Sequence, residues 1–289
     1  MNLDSRFFNH RVLGERTNGK SWVLLIPFAI VSLLLVIIPL AMIFIKAFIP
    51  AEGANVSDNW NIINGFIWQK IFTSFIVAII TTVICILIAY PFAYFLSTSK
   101  SKVFKTIIIF VATAPVWTSF LVKLVGLKTF FDICAGYDNS TYGNLWTILG
   151  LIYLYLPFMI MPLYSVLNDM PKNLVFASYD LGYGPWKTFL KITLPYTKVA
   201  LASGITLVFL PALTTVAVPQ FLNNNNDGSM IGDIIVDQGE AGLTSSIALA
   251  RASTLSLVLS LVMLGGFGIY ILFRKVIWKH LKQIRAKHE

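Results

Sequence analysis

The most regular feature of the sequence is the alternation of long stretches without Asp, Glu, Lys or Arg and short segments that contain them. Six charge-free stretches have at least 17 residues, and the next longest has 11. They are Ser21–Ile45, Ile71–Ser99, Thr106–Val122, Asn139–Asn168, Val199–Asn226 and Ala252–Phe273. A helix needs about 20 apolar residues to cross a bilayer, and lipid satisfies no backbone polar group. The pattern predicts an all-α, polytopic membrane protein with six transmembrane helices.

The third stretch, Thr106–Val122, is the shortest of the six. We expect this helix to continue past Lys123, because a lysine can extend its amine along its aliphatic stem to the membrane surface. The connections 46–70, 123–138 and 227–251 lie together on one side of the membrane. The first of them is rich in Pro, Gly, Asn and Asp, which favours a loop.

Basic residues are concentrated on the other side of the membrane. Seventeen of the 22 Lys and Arg residues fall in 1–20, 100–105, 169–198 and after 273. The positive-inside rule therefore predicts that both termini and segment 169–198 are cytoplasmic. The predicted organisation is an N-terminal tail, 1–20, a transmembrane domain, 21–273, and a basic C-terminal tail, 274–289.

Composition narrows the class of protein further. The chain is 57% hydrophobic and only 12% charged, about half the charge of soluble domains. The net charge of +9 is explained by topology and by attraction to anionic lipid, so we expect lipid but no nucleic acid as a partner. Two cysteines form no disulfide framework or metal cluster, and the histidines lie in the two terminal segments. We therefore predict no metal, no cofactor and no catalytic residue.

Segment 169–198 carries the turn signals of a short helix. Asn168 or Asp169 is suited to cap it, and Pro171 suits its first turn, where no backbone N–H is needed. Gly182 is placed to adopt the left-handed conformation that ends a helix.

A second helix is predicted to start at Gly184–Pro185. It should stop near Leu194–Pro195, because the residue before a proline avoids the helical region. The result is a helix–turn–helix at the membrane surface that carries the large apolar side chains Phe176, Leu181 and Trp186. An amphipathic connector resting on lipid headgroups is the alternative interpretation.

This segment resembles a motif of the permease subunits of binding-protein-dependent ABC importers. The motif reads Glu-Ala-Ala, three residues, Gly, and about a dozen residues later Ile-x-Leu-Pro. Here Phe176–Gly182 and Ile192–Pro195 match it, with a Gly-to-Pro spacing of 13 residues. Phe176 replaces the Glu of the motif, and Ser178 replaces its second Ala.

Four further stretches resemble the first permease subunit of spermidine/putrescine importers. They are Tyr90–Leu96, Pro115–Thr118, Leu156–Tyr164 and Leu210–Ala212. The resemblance implies a type I ABC importer permease fold in the plasma (inner) membrane. It also implies that the chain forms half of a translocation pathway for polyamines.

The resemblance implies several partner chains. Such a permease pairs with a second, related permease, sits on two ATP-binding subunits and receives substrate from an extracytoplasmic binding protein. ATP would thus bind to partner subunits, and residues 169–198 would be the coupling segment, which contacts the ATPase. The candidate coupling residues are Phe176, Ala177, Ser178, Asp180, Leu181, Gly182, Trp186 and Pro195. For Asp180, pairing with a basic ATPase residue and local capping are both open.

Candidate pathway residues are aromatic, sulfur-containing or proline side chains near the middle of the apolar stretches. Aromatic faces attract ammonium groups, and transporters bind substrate where spans are interrupted, as we expect at Pro115, Pro157, Pro162, Pro211 and Pro219. The candidates are Trp117, Tyr155, Phe158, Met161, Tyr164 and Pro211.

Other interpretations remain open. The chain could serve an ABC importer of another small solute, such as an oxyanion or an amino acid, or be a secondary transporter or a membrane enzyme. The six stretches contain no carboxylate, which disfavours a polycation unless the partner permease supplies the acids or the path is lined by aromatics and carbonyls. Acids of the outer connections could collect cations at the pathway mouth or be solvated loop residues; they are Asp132, Asp138, Asp227, Asp233, Asp237 and Glu240.

Overall fold

The computed structural model describes residues 26–50, 55–135, 139–223 and 230–285, and all regular structure within them is helical. The predicted tail 1–20 lies outside these residues. The helices are α1 (Ile26–Ser32), α2 (Ile38–Phe48), α3 (Val56–Trp60), α4 (Gly65–Thr98), α5 (Lys102–Trp117), α6 (Phe120–Ala135), α7 (Asn139–Asp169), α8 (Lys172–Asp180), α9 (Pro185–Thr188), α10 (Leu194–Leu213), α11 (Ala217–Leu222), α12 (Ile231–Ala241) and α13 (Ser246–Arg285). Two π segments, Leu33–Ile37 and Phe189–Thr193, join α1 to α2 and α9 to α10.

Five helical stretches are long and apolar enough to cross a membrane, and a bent pair brings the number to six if it forms one span. The five unbroken candidates are Ile26–Phe48, Val56–Thr98, Gly143–Asp169, Pro185–Leu213 and Ser246–Gly266. They coincide with five of the charge-free stretches, and the bent pair, α5 and α6, coincides with the third. The prediction of an all-helical, polytopic protein is therefore confirmed, with five to six spans.

The third span departs from its predicted shape, because α5 and α6 meet at an angle of 100°. The break follows Trp117 and leaves the carbonyl of Pro115 without a helical partner. Lys123 Nζ donates to that carbonyl at 2.7 Å, and Thr118 Oγ1 donates to it at 3.1 Å. The amine of Lys123 thus satisfies the break, and its position relative to the membrane surface stays a prediction.

Two of the outer connections contain short helices, and for one of them, 46–70, a loop was predicted. In 46–70, Asn55 caps the short helix α3, and Asn64 caps α4 by accepting a hydrogen bond from the Ile67 N–H at 3.0 Å. The prediction of a loop there is wrong, since capping asparagines were interpreted as turn residues. In 227–251, α12 forms beyond 224–229, a stretch outside the described residues.

The interior of the bundle contains two apolar clusters arranged along α4, α7 and α10. The α12-side core includes Ile71, Leu151, Leu213 and Ile231. The α9-side core includes Tyr90, Ala93, Met159, Leu163 and Ala200. Tyr155 packs against both. Because the 20 residues of α10 rise about 30 Å, α9 and α12 lie at opposite ends of the bundle.

Candidate functional site

The first helix of the coupling segment, α8, ends in a left-handed turn at Gly182. The Gly182 N–H donates to the Tyr179 carbonyl at 2.9 Å, and the Tyr183 N–H donates to the Ser178 carbonyl at 3.0 Å. These two bonds form a Schellman motif, which needs a residue with positive φ. Gly182 has a φ of 77°, so the conformation predicted for this glycine is confirmed.

The beginning of α8 differs from the prediction. Pro171 occupies the N-cap position and makes no side-chain capping bond, and α7 continues through Asn168 to Asp169. Asn168 Oδ1 accepts a hydrogen bond from Lys105 Nζ at 2.9 Å. The predicted caps are therefore wrong, since both residues belong to the preceding helix.

The second helix, α9, begins at Pro185 after Gly184, as predicted. It does not stop near Leu194–Pro195, because the π segment Phe189–Thr193 carries the helix into α10. The Leu194 N–H donates to the Phe189 carbonyl, five residues back. This wider turn removes the clash that a proline makes in a regular helix, so the chain passes Pro195 without a break. The α9 end of the coupling segment is thus continuous with the fifth span.

The three predicted apolar anchors are exposed. The exposed fractions are 75% for Leu181, 72% for Trp186 and 59% for Phe176. Four more candidate coupling residues are exposed as well: Ala177, Asp180, Gly182 and Pro195. The short helices α8 and α9 therefore present an apolar surface in which charged side chains are interspersed.

Ser178 is the candidate coupling residue with no surface for a partner, because its side chain is buried. Its hydroxyl lies 2.8 Å from that of Thr188, which is buried too. The pair joins α8 to α9 across the Gly182 turn. Ser178 therefore fixes the shape of the coupling segment.

Three aromatic residues that sequence reasoning did not single out connect the coupling segment to α4. The ring centroid of Phe189 lies 5.2 Å from that of Tyr90 and 6.1 Å from that of Tyr94, both in edge-on geometry. The spacing of Tyr90 and Tyr94 was the available signal, because residues four apart share one face of a helix.

The structure does not bring the candidate pathway residues into one group. The rings of Tyr155 and Phe158 are 6.3 Å apart. Tyr164 follows Tyr155 by nine residues, which is about half a turn around α7. Trp117 ends α5 and is 76% exposed. Met161 is exposed and Pro211 half-buried.

Only some of the prolines that were expected to interrupt a span lie next to a helix break. The helix ends shortly after Pro115 in α5 and shortly after Pro211 in α10, with irregular backbone following each. By contrast, α7 continues through Pro157 and Pro162. The expectation of an interruption at these two prolines is wrong. Pro219 lies inside the short helix α11.

The acids of the outer connections differ in their surroundings. Asp132, Asp237 and Glu240 are exposed, whereas Asp233 is buried. Asp233 lies in the first turn of α12, and its Oδ2 accepts a hydrogen bond from the Met230 N–H at 3.4 Å. The interpretation as a solvated loop residue is therefore wrong for Asp233. Asp138 and Asp227 lie outside the described residues.

Comparison with known proteins identifies the family. Residues 85–278 match the family described as "Binding-protein-dependent transport system inner membrane component". The chain belongs to this family. It is thus a multi-pass membrane protein and a permease subunit of an ABC importer.

Curated relatives of this permease match it over most of their length. The "Spermidine/putrescine transport system permease protein PotB homolog" of Mycoplasma genitalium is 39% identical over 87% of this chain and 90% of its own. The protein of the same description from Mycoplasma pneumoniae is 37% identical over 90% and 94%. The "Spermidine/putrescine transport system permease protein PotB" of Escherichia coli K12 is 30% identical over 80% and 90%.

Solved structures of ABC transporters share the fold of the permease. A chain of a bacterial transporter involved in alginate import has a TM-score of 0.63 at 14% identity and covers 89% of this chain and 94% of its own. A chain of the methionine transporter MetNI in an inward-facing conformation has a TM-score of 0.51 at 16% identity, with coverages of 71% and 94%. The predicted importer permease fold is confirmed.

A cavity of about 530 Å³ lies at the bend between α5 and α6 of the permease. Its lining residues are Thr118, Val122, Lys123, Gly126, Leu127, Phe130 and Tyr153. The amine of Lys123 places a positive charge in this cavity, which would repel a cationic ligand. Among the candidate pathway residues, none lines it.

Proposed function

We propose that this chain is the permease subunit of a polyamine importer and forms half of its pathway for spermidine and putrescine. The observation that carries this proposal is the 39% and 37% identity to spermidine/putrescine permease homologues over 87% and 90% of the chain. The aligned regions cover nearly the whole chain, so they include the membrane spans that must line any pathway.

The proposed assembly contains a second permease, two ATP-binding subunits and an extracytoplasmic substrate-binding protein. The chain itself is non-catalytic and sits in the plasma membrane with both termini and the coupling segment in the cytoplasm, as its basic residues favour. Residues 14–21 match the phosphate-binding pattern G-x-x-x-x-G-K-[ST]. A working phosphate loop lies between a strand and a helix of an α/β domain, whereas Ser21 begins the first predicted span. We therefore assign ATP binding to the partner subunits.

The coupling segment is the proposed contact with the ATPase. Phe176, Leu181 and Trp186 are large, exposed and apolar, and short helices dock into grooves through such anchors. Charged residues interrupt this surface at Asp180 and Lys187, which suits a protein groove better than hydrocarbon. Asp180 is exposed and thus available to a basic ATPase residue.

For the pathway, the six candidate residues remain a proposal. Those with exposed surface, Trp117 and Met161, can contact substrate directly. Tyr155, Phe158, Tyr164 and Pro211 are more enclosed and would shape the path. The aromatic faces of Tyr155, Phe158 and Tyr164 offer ammonium groups an attraction of about 0.5–2 kcal/mol each.

Uptake tests the substrate. Vesicles that contain this chain with its partner permease, ATPase and binding protein are supplied with ATP and labelled spermidine. We expect accumulation that unlabelled putrescine reduces and that an amino acid or an oxyanion leaves unchanged. Accumulation of a labelled amino acid or oxyanion, without accumulation of spermidine, would assign the permease to that other solute.

Co-purification in mild detergent tests the coupling surface. Leu181→Asp places a charge on the proposed anchor and should weaken ATPase association by at least about 2 kcal/mol, or roughly thirtyfold. Leu243→Asp is the matched control, because Leu243 is 88% exposed and lies between α12 and α13, at the opposite end. Equal recovery of the ATPase with both variants would show that the coupling segment is not its docking site.

A further inference from the structure

The second helix of the coupling segment and the fifth span form one helical rod. From Pro185 to Leu213 the chain is helical without a break, and the π segment Phe189–Thr193 lies within it. A displacement of α9 by a docked ATPase would therefore shift α10 directly. The second span, α4, has no such covalent connection to α9, so side-chain contacts must connect it to the coupling segment.

Phe189 is placed to make that connection. Its ring stacks on Trp186 at a centroid distance of 5.7 Å and an interplanar angle of 18°. On its other side it meets the edges of Tyr90 and Tyr94. Trp186 is exposed, whereas Tyr90 is buried. The four rings thus run from the docking surface into the interior of the bundle.

The packing of Phe189, which is partly buried, supports this role. Among residues 172–193, Phe189 is the apolar side chain that packs against the α9-side core. Tyr90 makes a second contact with the same rod: its hydroxyl lies 2.6 Å from the Thr197 hydroxyl. The Thr197 hydroxyl itself donates to the Thr193 carbonyl at 3.0 Å. Both hydroxyls are buried. Tyr90 of α4 therefore contacts the helical rod twice, through the ring of Phe189 and through the hydroxyl of Thr197.

We propose that Phe189 is a positioning residue, which transmits displacement of Trp186 to α4 through Tyr90 and Tyr94. This inference rests on the proposed contact between the coupling segment and the ATPase. It assigns the docking surface and the transmitting residue to different side chains. Removing Phe189 should spare ATPase binding and lower the yield of transport from each hydrolysed ATP.

The test compares Phe189→Ala with Phe209→Ala in the assembled transporter. Phe209 of α10 makes a similar ring contact with Phe75 of α4, at 6.0 Å, but belongs to the α12-side core. We expect Phe189→Ala to retain the ATPase on co-purification and to lower uptake per ATP hydrolysed about tenfold, as the loss of the two ring contacts with α4, each of ordinary strength, implies. Phe209→Ala should leave this ratio within about twofold of the wild type.

Further variants separate transmission from folding. Phe189→Tyr keeps the ring and should restore the ratio, and Tyr94→Ala should lower it while Phe189 is intact. An unchanged ratio in Phe189→Ala would overturn the inference, and so would an equal decrease in Phe209→Ala. If Leu181→Asp also keeps the ATPase, the proposed docking surface fails. If Leu181→Asp loses the ATPase and Phe189→Ala keeps a normal ratio, only the role of Phe189 fails.

Discussion

Two short helical regions, one at each end of the bundle, use their apolar residues in opposite ways. At one end, Met230 and Ile231 at the start of α12 have no exposed surface. At the other end, Leu181 and Trp186 of the coupling segment are about three-quarters exposed. Neither region is long enough to span a membrane by itself. The difference indicates that α12 completes the core of this chain, whereas the coupling segment leaves its apolar residues exposed and available to the proposed ATPase partner.

The contacts of the two regions follow the same division. The Ile231 N–H donates to Ser74 Oγ of α4 at 2.9 Å, and Gly232 lies against the backbone of Thr215. The contacts of the coupling segment with α4 include those of Phe189 and Thr197, and the outer side chains of α8 and α9 are exposed. A change in α12 should therefore affect folding, and a change in the outer face of the coupling segment should affect association.

The largest effect is expected for a charge at Ile231. Ile231→Asp buries a carboxylate among apolar side chains, and an unpaired buried charge costs several kcal/mol. We expect loss of most of the folded protein, measured as the monodisperse fraction after detergent extraction and as the midpoint of thermal unfolding. The exposed Leu243→Asp should leave both values near those of the wild type. Normal folding of Ile231→Asp would show that α12 is not part of the core.

A smaller effect is expected for a single methyl group at Gly232. A Cβ at this position would lie 2.5 Å from the Thr215 carbonyl oxygen and 3.1 Å from that of Thr214. Since the obstacle is backbone, α12 must move, and we expect a loss of about 1–3 kcal/mol in the free energy of unfolding. A thermal shift assay measures it.

The control for Gly232→Ala is Gly239→Ala in the same helix. A Cβ at Gly239 meets nothing within 4 Å, and alanine favours a helix over glycine by about 0.5–1 kcal/mol. The two substitutions should therefore change stability in opposite directions. A stabilising effect of both would mean that α12 does not press against the break after α10.

The membrane spans and the turn at Gly182 could be predicted from the sequence, whereas the packing of α12 against the bundle could not. The charge-free stretches follow directly from the cost of charge in lipid, and Gly182 was the residue that a left-handed helix end requires. Asp233, Asp237 and Glu240 gave α12 the composition of a solvated connection. Burial of its first turn depends on a contact with α4, more than 150 residues away, which local composition does not encode.

The coupling segment shows the same limit at Pro195. A proline after Leu194 predicted the end of a helix, and the π segment that lets the helix continue has no simple sequence signature. Phe189 was not singled out from the sequence. Its role depends on Tyr90 and Tyr94, and only the packing of α4 against α9 and α10 brings the three rings together.

The smallest effect on the fold, and the sharpest distinction between the two regions, is expected at Gly182. A Cβ at Gly182 meets nothing within 4 Å, so the restriction lies in the positive φ, unlike the contact that restricts Gly232. Gly182→Ala should cost about 1–2 kcal/mol, confined to the α8–α9 turn, with thermal stability of the bundle unchanged and uptake per ATP hydrolysed reduced. Gly182→Pro, which also removes the N–H bonded to Tyr179, should reduce uptake further.

Two variants test whether conformation is the cause. Gly182→Asn should restore uptake, because asparagine adopts positive φ more readily than alanine. Gly184→Ser should be neutral, since Gly184 has a φ of −71° and serine is a good N-cap. If Gly182→Asn were as defective as Gly182→Ala, the glycine would be needed because the partner approaches closely there. The restriction at Gly182 would then be one of contact, as at Gly232, but imposed by another chain.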